Sequence, residues 1–130
     1  MSTWSFIYSG FDPEKEKLRE ALCTLGNGYF ATRGSCSECS ANHIHYPGTY
    51  LAGGYNRLKT EIAGRVIENE DLVNLPNWLP LAFRIPGEPW FSVDEVNIIS
   101  YTQRLDIRKG ILYREVHFID AACRKTTLLN

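Results

Sequence analysis

No stretch of about eighteen consecutive apolar residues occurs in this 130-residue sequence, which excludes a transmembrane helix. The first ten residues, MSTWSFIYSG, have neither the basic head nor the apolar run of a signal peptide, so a cytoplasmic location is the expectation. An excess of charge of one sign is also missing. Lys and Arg total 14 against 15 Asp and Glu, and a net charge of -1 gives no electrostatic steering toward nucleic acid. The most basic stretch, with Arg104, Arg108, Lys109, Arg114, Arg124 and Lys125, is diluted by Asp106, Glu115 and Asp120 and reads as the wet face of strands. A Gly-x-Ser-x-Gly turn is absent, and Gly34-Ser35-Cys36 matches no strained nucleophile turn. Gly26-Asn27-Gly28 leads into an apparent strand, so it lacks the helix N-terminus that a phosphate cradle needs. Internal repeats, low-complexity tracts and linker-like segments are lacking as well, which leaves residues 1–130 as a single domain.

What is present is a foldable composition, since 44% hydrophobic and 22% charged residues lie far from the profile of a disordered chain. Trp4, Phe6 and Tyr8 recur at every second position and predict a strand with one buried aromatic face. Asp12 as cap, Pro13 at the first helical position and Glu14 and Glu16 near the positive end predict a helix. Leu18, Ala21, Leu22 and Leu25 would form its apolar stripe, and Gly26-Asn27-Gly28 would stop it. Short strands are expected over 29–33, 49–55, 62–67, 79–85 and 90–93, with Pro86-Gly87-Glu88-Pro89 as a turn. The clearest alternation is Tyr101, Gln103, Leu105 and Ile107, a turn at Arg108-Lys109-Gly110, then Leu112, Arg114, Val116 and Phe118. A turn over 120–125 precedes a last strand over 126–129. The chain reads as mainly β, an antiparallel β-sandwich with one short N-terminal helix.

Three groups of side chains could carry chemistry. Cys36 and Cys39 form a C-x-x-C with His43 and His45 close behind, which is formally a zinc ligand set; the spacing to a second ligand pair is unusual, and the βαβ context of a redox pair is missing. We therefore expect reduced loop cysteines, no bound metal and no cofactor, with Cys23 as a small core residue. Glu68, Glu70 and Asp71 form a dense acidic run that could supply a glycosidase-type acid pair, and whose simpler reading is a solvated turn. Tyr46, Tyr50, Tyr55, Trp78 and Trp90 lie in or beside Gly- and Pro-rich turns, where a flat ring can meet a sugar face or a neighbouring domain.

Longer stretches are more specific. Leu25-Gly26-Asn27-Gly28-Tyr29-Phe30-Ala31-Thr32-Arg33-Gly34, then Tyr46-Pro47-Gly48-Thr49-Tyr50-Leu51-Ala52-Gly53-Gly54-Tyr55-Asn56, then Asp71-Leu72-Val73-Asn74-Leu75-Pro76-Asn77-Trp78 resemble the N-terminal region of glycoside hydrolase family 65. Leu105-Asp106-Ile107-Arg108-Lys109-Gly110-Ile111-Leu112-Tyr113-Arg114 is similar to the family's L-D-x-R-x-G-x-L-x-R pattern. The resemblance covers nearly the whole chain. It implies a galactose-mutarotase-like sandwich joined to an (α/α)6 barrel, in maltose, trehalose and kojibiose phosphorylases and some trehalose hydrolases. The general acid and the phosphate-binding residues of that family belong to the barrel, so the resemblance assigns no catalytic residue here. Glu38 matches an acidic position of the family, whereas Cys36 and Cys39 look particular to this sequence.

These readings lead to a non-catalytic front part of the sandwich, supporting a catalytic barrel or mediating assembly, with a stand-alone carbohydrate-binding or assembly module as the alternative. The partners expected are the barrel or a separate chain carrying it, a second copy meeting open sheet edges, and possible carbohydrate, with neither nucleic acid nor membrane.

Overall fold

A computed structural model describes residues 4–130. The chain forms β1 (Ser5–Ser9), α1 (Glu16–Leu22), β2 (Leu25–Gly26), β3 (Phe30–Thr32), β4 (Thr49–Ile62), β5 (Arg65–Leu75), β6 (Asn97–Asp106), β7 (Ile111–Ile119) and β8 (Lys125–Leu129). The strands make two four-stranded antiparallel sheets, ordered β1-β6-β7-β8 and β2-β3-β4-β5. The mainly β, two-sheet architecture with one N-terminal helix is thus the one expected from the sequence. No helix among the described residues is long and apolar enough to cross a membrane.

Alternation in the β6–β7 hairpin puts one set of side chains on each face. Tyr101, Gln103 and Leu105 stand opposite Val116, Arg114 and Leu112, and all but Leu112 are buried. The main core lies on this face. Tyr101, Val116 and Phe118 pack there against Cys36, Cys39 and Val93, with Phe11, Phe91, Val96, Ile98 and Leu128 around them. Irregular chain therefore forms much of the layer opposite the first sheet. The expected strands over 79–85 and 90–93 belong to it and are not strands, although the Pro86-Gly87 turn is present. Their apolar runs satisfy packing through contacts such as the Phe83–Phe91 and Phe91–Phe118 ring pairs, with centroids 4.7 Å apart in both, and not through a ladder.

Several other expectations need correction. The β1 strand forms and pairs with β6, but Trp4 and Phe6 are exposed, because a strand at the sheet edge has no layer covering that part of it. Helix α1 is turned around. Glu16, Arg19, Glu20 and Cys23 recur on one face and are buried, whereas Leu18 and Leu22 remain 59% and 57% exposed. The charged face wins because each of its groups finds a partner inside. Arg19 donates to Glu16 and to the Gly10 carbonyl, and Glu20 collects three hydrogen bonds from the chain beyond the helix. Asp12 opens the turn before α1 through its carbonyl and side chain, but the helix begins only after Lys15. It ends at Leu22, so Gly26-Asn27-Gly28 is the β2–β3 turn and not a helix stop; the Asn27 side chain there accepts the Tyr29 and Phe30 amides.

The expected strand over 62–67 contains a turn instead. Ala63 and Gly64 both have positive φ, 52° and 74°, and join β4 to β5 in a long hairpin. The acidic run lies on β5, where strand pairing sets Glu68 and Glu70 beside Arg57, at 3.8 and 3.4 Å. Most side chains of the distal hairpin are exposed on both faces. Helix and first sheet meet at Gly34, where a Cβ would lie 2.6 Å from Cys23 Cβ and 2.9 Å from Leu112 Cδ2. Only glycine fits that contact.

Candidate binding cavity and its polar supports

Two buried polar constellations hold the chain between α1 and β4. In the first, His45 is bracketed by carboxylates: Nδ1 lies 2.8 Å from Glu20 Oε1 and Nε2 3.0 Å from Asp94 Oδ1. Glu20 also accepts from the Ser35 hydroxyl and the Tyr46 amide, both at 2.8 Å. Asn42 donates to Asp94, and its side-chain oxygen accepts the Ile44 and His45 amides. Burial alone would lower the His45 pKa, but the hydrogen bond to Glu20 and the charge of Asp94 outweigh it and raise the value. Burial would likewise raise Glu20, yet its hydrogen bonds from His45, the Tyr46 amide and Ser35 bring it below the ordinary carboxylate range. His45 is therefore a charged tie between α1 and the loop over 35–46.

The second constellation is Arg114 with Glu38. Arg114 Nη2 lies 2.7 and 2.6 Å from the two Glu38 oxygens, with both side chains almost wholly buried. Arg114 is thus not on the wet face of the hairpin, where its place in a basic stretch suggested it would be. Its Nε and Nη1 have no partner among the described residues, and neither does Oε1 of the facing Gln103, whose Nε2 donates to the Gly34 carbonyl. Arg114 and Gln103 belong to the wall of a cavity of about 490 Å³ between the sheets, together with Cys23, Leu25, Phe30, Trp78, Leu79 and Leu112, while their unpartnered atoms themselves are sealed from solvent.

The expected site aromatics do not converge. Trp78 lines this cavity, its indole N–H donating to Thr32 Oγ1 at 3.0 Å and its ring meeting Phe30 edge-on. Tyr50 and Tyr55 line a separate shallow hollow on the second sheet, near Tyr29 and Leu72. Tyr46 lies under the Arg33 guanidinium, and Trp90 under that of Arg84 beside Phe83 and Phe91. Cys36 and Cys39 are not reduced loop thiols; they are buried in the core and bonded to each other. Ligand atoms of Cys36, Cys39 and His45 do lie within 4.8 Å of one another, but the sulfurs are paired and both imidazole nitrogens face carboxylates. His43 is exposed and takes no part. Cys23 is a core residue as expected, its thiol pushed up to about 11 by burial and by Glu16.

The description of the glycosyl hydrolase family 65 N-terminal domain matches residues 6–129. This chain belongs to glycosyl hydrolase family 65. Within the family it is 51% identical over 125 residues to an uncharacterized glycosyl hydrolase of Mycobacterium tuberculosis strain H37Rv, covering 96% of this chain and 9% of the relative. It is 50% identical over 96 residues to the trehalose 6-phosphate phosphorylase of Lactococcus lactis subsp. lactis, covering 70% and 12%. A putative kojibiose phosphorylase from the human microbiome has the same fold, with a TM-score of 0.82 at 23% identity over 97% of this chain and 17% of that one. The family 65 chain described here therefore spans a small part of the length of the relatives it matches.

Proposed function

We propose that this chain is a non-catalytic N-terminal sandwich segment of a cytoplasmic family 65 phosphorylase or hydrolase acting on α-glucosidic disaccharides, and that it supports the catalytic part by docking to it. The observation that carries this reading is the inverted helix: α1 uses its charged face to build the interior and presents Leu18 and Leu22 outward, as an element does when a further layer covers it. The carboxylates support it too. Glycosyl transfer needs an acid and a base or nucleophile flanking one bond. Glu16, Glu20 and Glu38 are held by Arg19, His45 and Arg114, and Glu68 and Glu70 flank Arg57 on an exposed strand. The test is release of glucose or glucose 1-phosphate from maltose, trehalose and kojibiose by the isolated chain. No release above the buffer blank is expected; release that is lost in Glu70→Ala or Asp71→Ala would overturn the reading.

A carbohydrate-binding role rests on a different observation, the hollow lined by Tyr29, Tyr50 and Tyr55. Titration with maltose or kojibiose that shifts the signals of these three rings would favour it, and unchanged spectra would remove it.

A further inference from the structure

We propose that reduction of the Cys36–Cys39 disulfide turns it into a zinc site, with the two thiolates and His45 as ligands; the site goes beyond the supporting role proposed above and does not depend on it. The two sulfurs and a ring nitrogen of His45 already lie within 4.8 Å of one another, and all three residues are buried. Tetrahedral zinc, with bonds of about 2.3 Å to sulfur and 2.0 Å to nitrogen, sets sulfur about 3.8 Å from sulfur and about 3.5 Å from nitrogen. Breaking the sulfur–sulfur bond lets the three atoms reach these spacings by side-chain adjustment. The Cys39 amide donates to the Cys36 carbonyl at 3.2 Å, a turn that keeps the C-x-x-C pair together without the cross-link.

The surroundings fit the same use. A zinc-bound histidine keeps its second ring N–H on a carboxylate, and His45 has Glu20 on one nitrogen and Asp94 on the other, so either face can turn to the metal. Two carboxylates against one imidazolium also leave the neighbourhood short of positive charge, which favours a further cation. The loop over 35–46 is held by His45 and by the Glu38–Arg114 pair, and a cross-link across so few residues removes little chain entropy, so the loop keeps its place on reduction. Cys36, 8% exposed, belongs to the wall of the cavity between the sheets, where the core meets open space.

A dithiol reductant breaks the sulfur–sulfur bond, passing two electrons and two protons to give two thiols while it becomes a disulfide itself. Zinc then binds without any redox change. It displaces the two thiol protons and the proton on one His45 nitrogen, and the fourth position is left to a water molecule. In the disulfide form no thiolate is on offer, so the oxidised protein takes up no metal.

The experiment compares the full chain in its disulfide form with the same protein reduced by a dithiol, freed of reductant without air, and shown by alkylation and mass spectrometry to have gained two thiols. After zinc addition and desalting, one zinc per chain is expected in the reduced protein and none in the oxidised one. Zinc should raise the Tm of the reduced protein and EDTA should return it. Cys39→Ser is expected to weaken zinc binding by more than the roughly 10- to 100-fold that loss of an outer-shell partner costs, whereas Cys123→Ser, at the exposed cysteine, should leave it unchanged. Should Cys39→Ser fail to fold by circular dichroism, cobalt decides with the reduced wild type: sulfur-to-cobalt charge-transfer bands should appear and then vanish when hydrogen peroxide re-forms the disulfide and is itself reduced to water. Absence of metal from the folded, fully reduced protein, unfolding on reduction, equal uptake by both redox forms, or cobalt bands without sulfur character would overturn the assignment.

Discussion

His45 links three parts of the chain through one ring, and its titration should be visible in the stability of the whole. Because it binds its proton more tightly folded than unfolded, its contribution is complete below its ordinary pKa of 6.5 and lost as pH rises through the folded value. Glu20 gives the mirror case: its contribution is present above 4.5 and lost on acidification below that. Glu16, raised by burial, works against the folded state as pH climbs past 4.5. Urea unfolding is therefore expected to show a falling midpoint from pH 6.5 to 8.5 in the wild type. His45→Gln should be destabilised by about 3 kcal/mol at pH 6, since it leaves two carboxylates without their shared partner, and its midpoint should be nearly flat over that range. A wild-type midpoint that rises over the same interval would contradict the charged tie. Gly34→Ala is expected to lose about 1 to 3 kcal/mol, because the added methyl would lie 2.6 Å from Cys23 Cβ and 2.8 Å from the Cys23 carbonyl oxygen, which only a shift of the backbone can relieve. Metal analysis of purified protein should show no stoichiometric zinc at Cys36, Cys39 and His45, and EDTA should leave the Tm unchanged; one zinc per chain with chelator-induced unfolding would reverse that expectation.

At the scale of elements, the β4–β5 hairpin turns on Ala63-Gly64 with both residues at positive φ, a conformation that suits Asn-Gly far better than Ala-Gly. Ala63→Asn should stabilise the chain by up to about 1 kcal/mol, read as a higher urea midpoint, whereas Gly64→Val should destabilise it by about 1 to 2 kcal/mol. The same turn shows why sequence patterning was a partial guide. Period-two alternation located β6 and β7 correctly because their inward side chains are apolar on nearly every second residue. That alternation also held the signal for the cavity: Gln103 and Arg114 fall in the inward register, and a polar residue there marks a buried polar group. Local composition instead suggested that Arg114 was wet. Helix α1 misled for the opposite reason, since periodicity finds an apolar stripe but not which side the rest of the fold covers. The partners of its charged face, His45, Ser35 and the Tyr46 amide, are 15 to 26 residues away. Segments over 79–85 and 90–93 read as strands because apolar, aromatic runs look alike whether they pair or pack as irregular chain.

For the whole molecule, Leu18 and Leu22 on α1, with Trp4, Phe6 and Ile7 at the β1 edge, leave more apolar surface exposed than an isolated chain tolerates well. Self-association of the isolated chain is expected, with light scattering on a size-exclusion column giving a mass above 14.8 kDa at micromolar concentration. Leu18→Glu combined with Leu22→Lys should shift that toward the monomer while changing stability by less than about 0.5 kcal/mol, as both side chains are already largely in solvent. A wild type that is monomeric across the range and does not bind ANS would remove this expectation. The contact of Cys23 with Gly34 adds a clock to the same chain. Cys123 is exposed, whereas Cys23 is sealed under α1 with a thiol that ionises only near 11. Alkylation followed by mass spectrometry should therefore proceed in two stages, a fast addition at Cys123 and a slow one at Cys23 that waits for the helix to lift from the sheet. The second rate measures how often that lifting happens, and anything that settles between the two sheets should slow it.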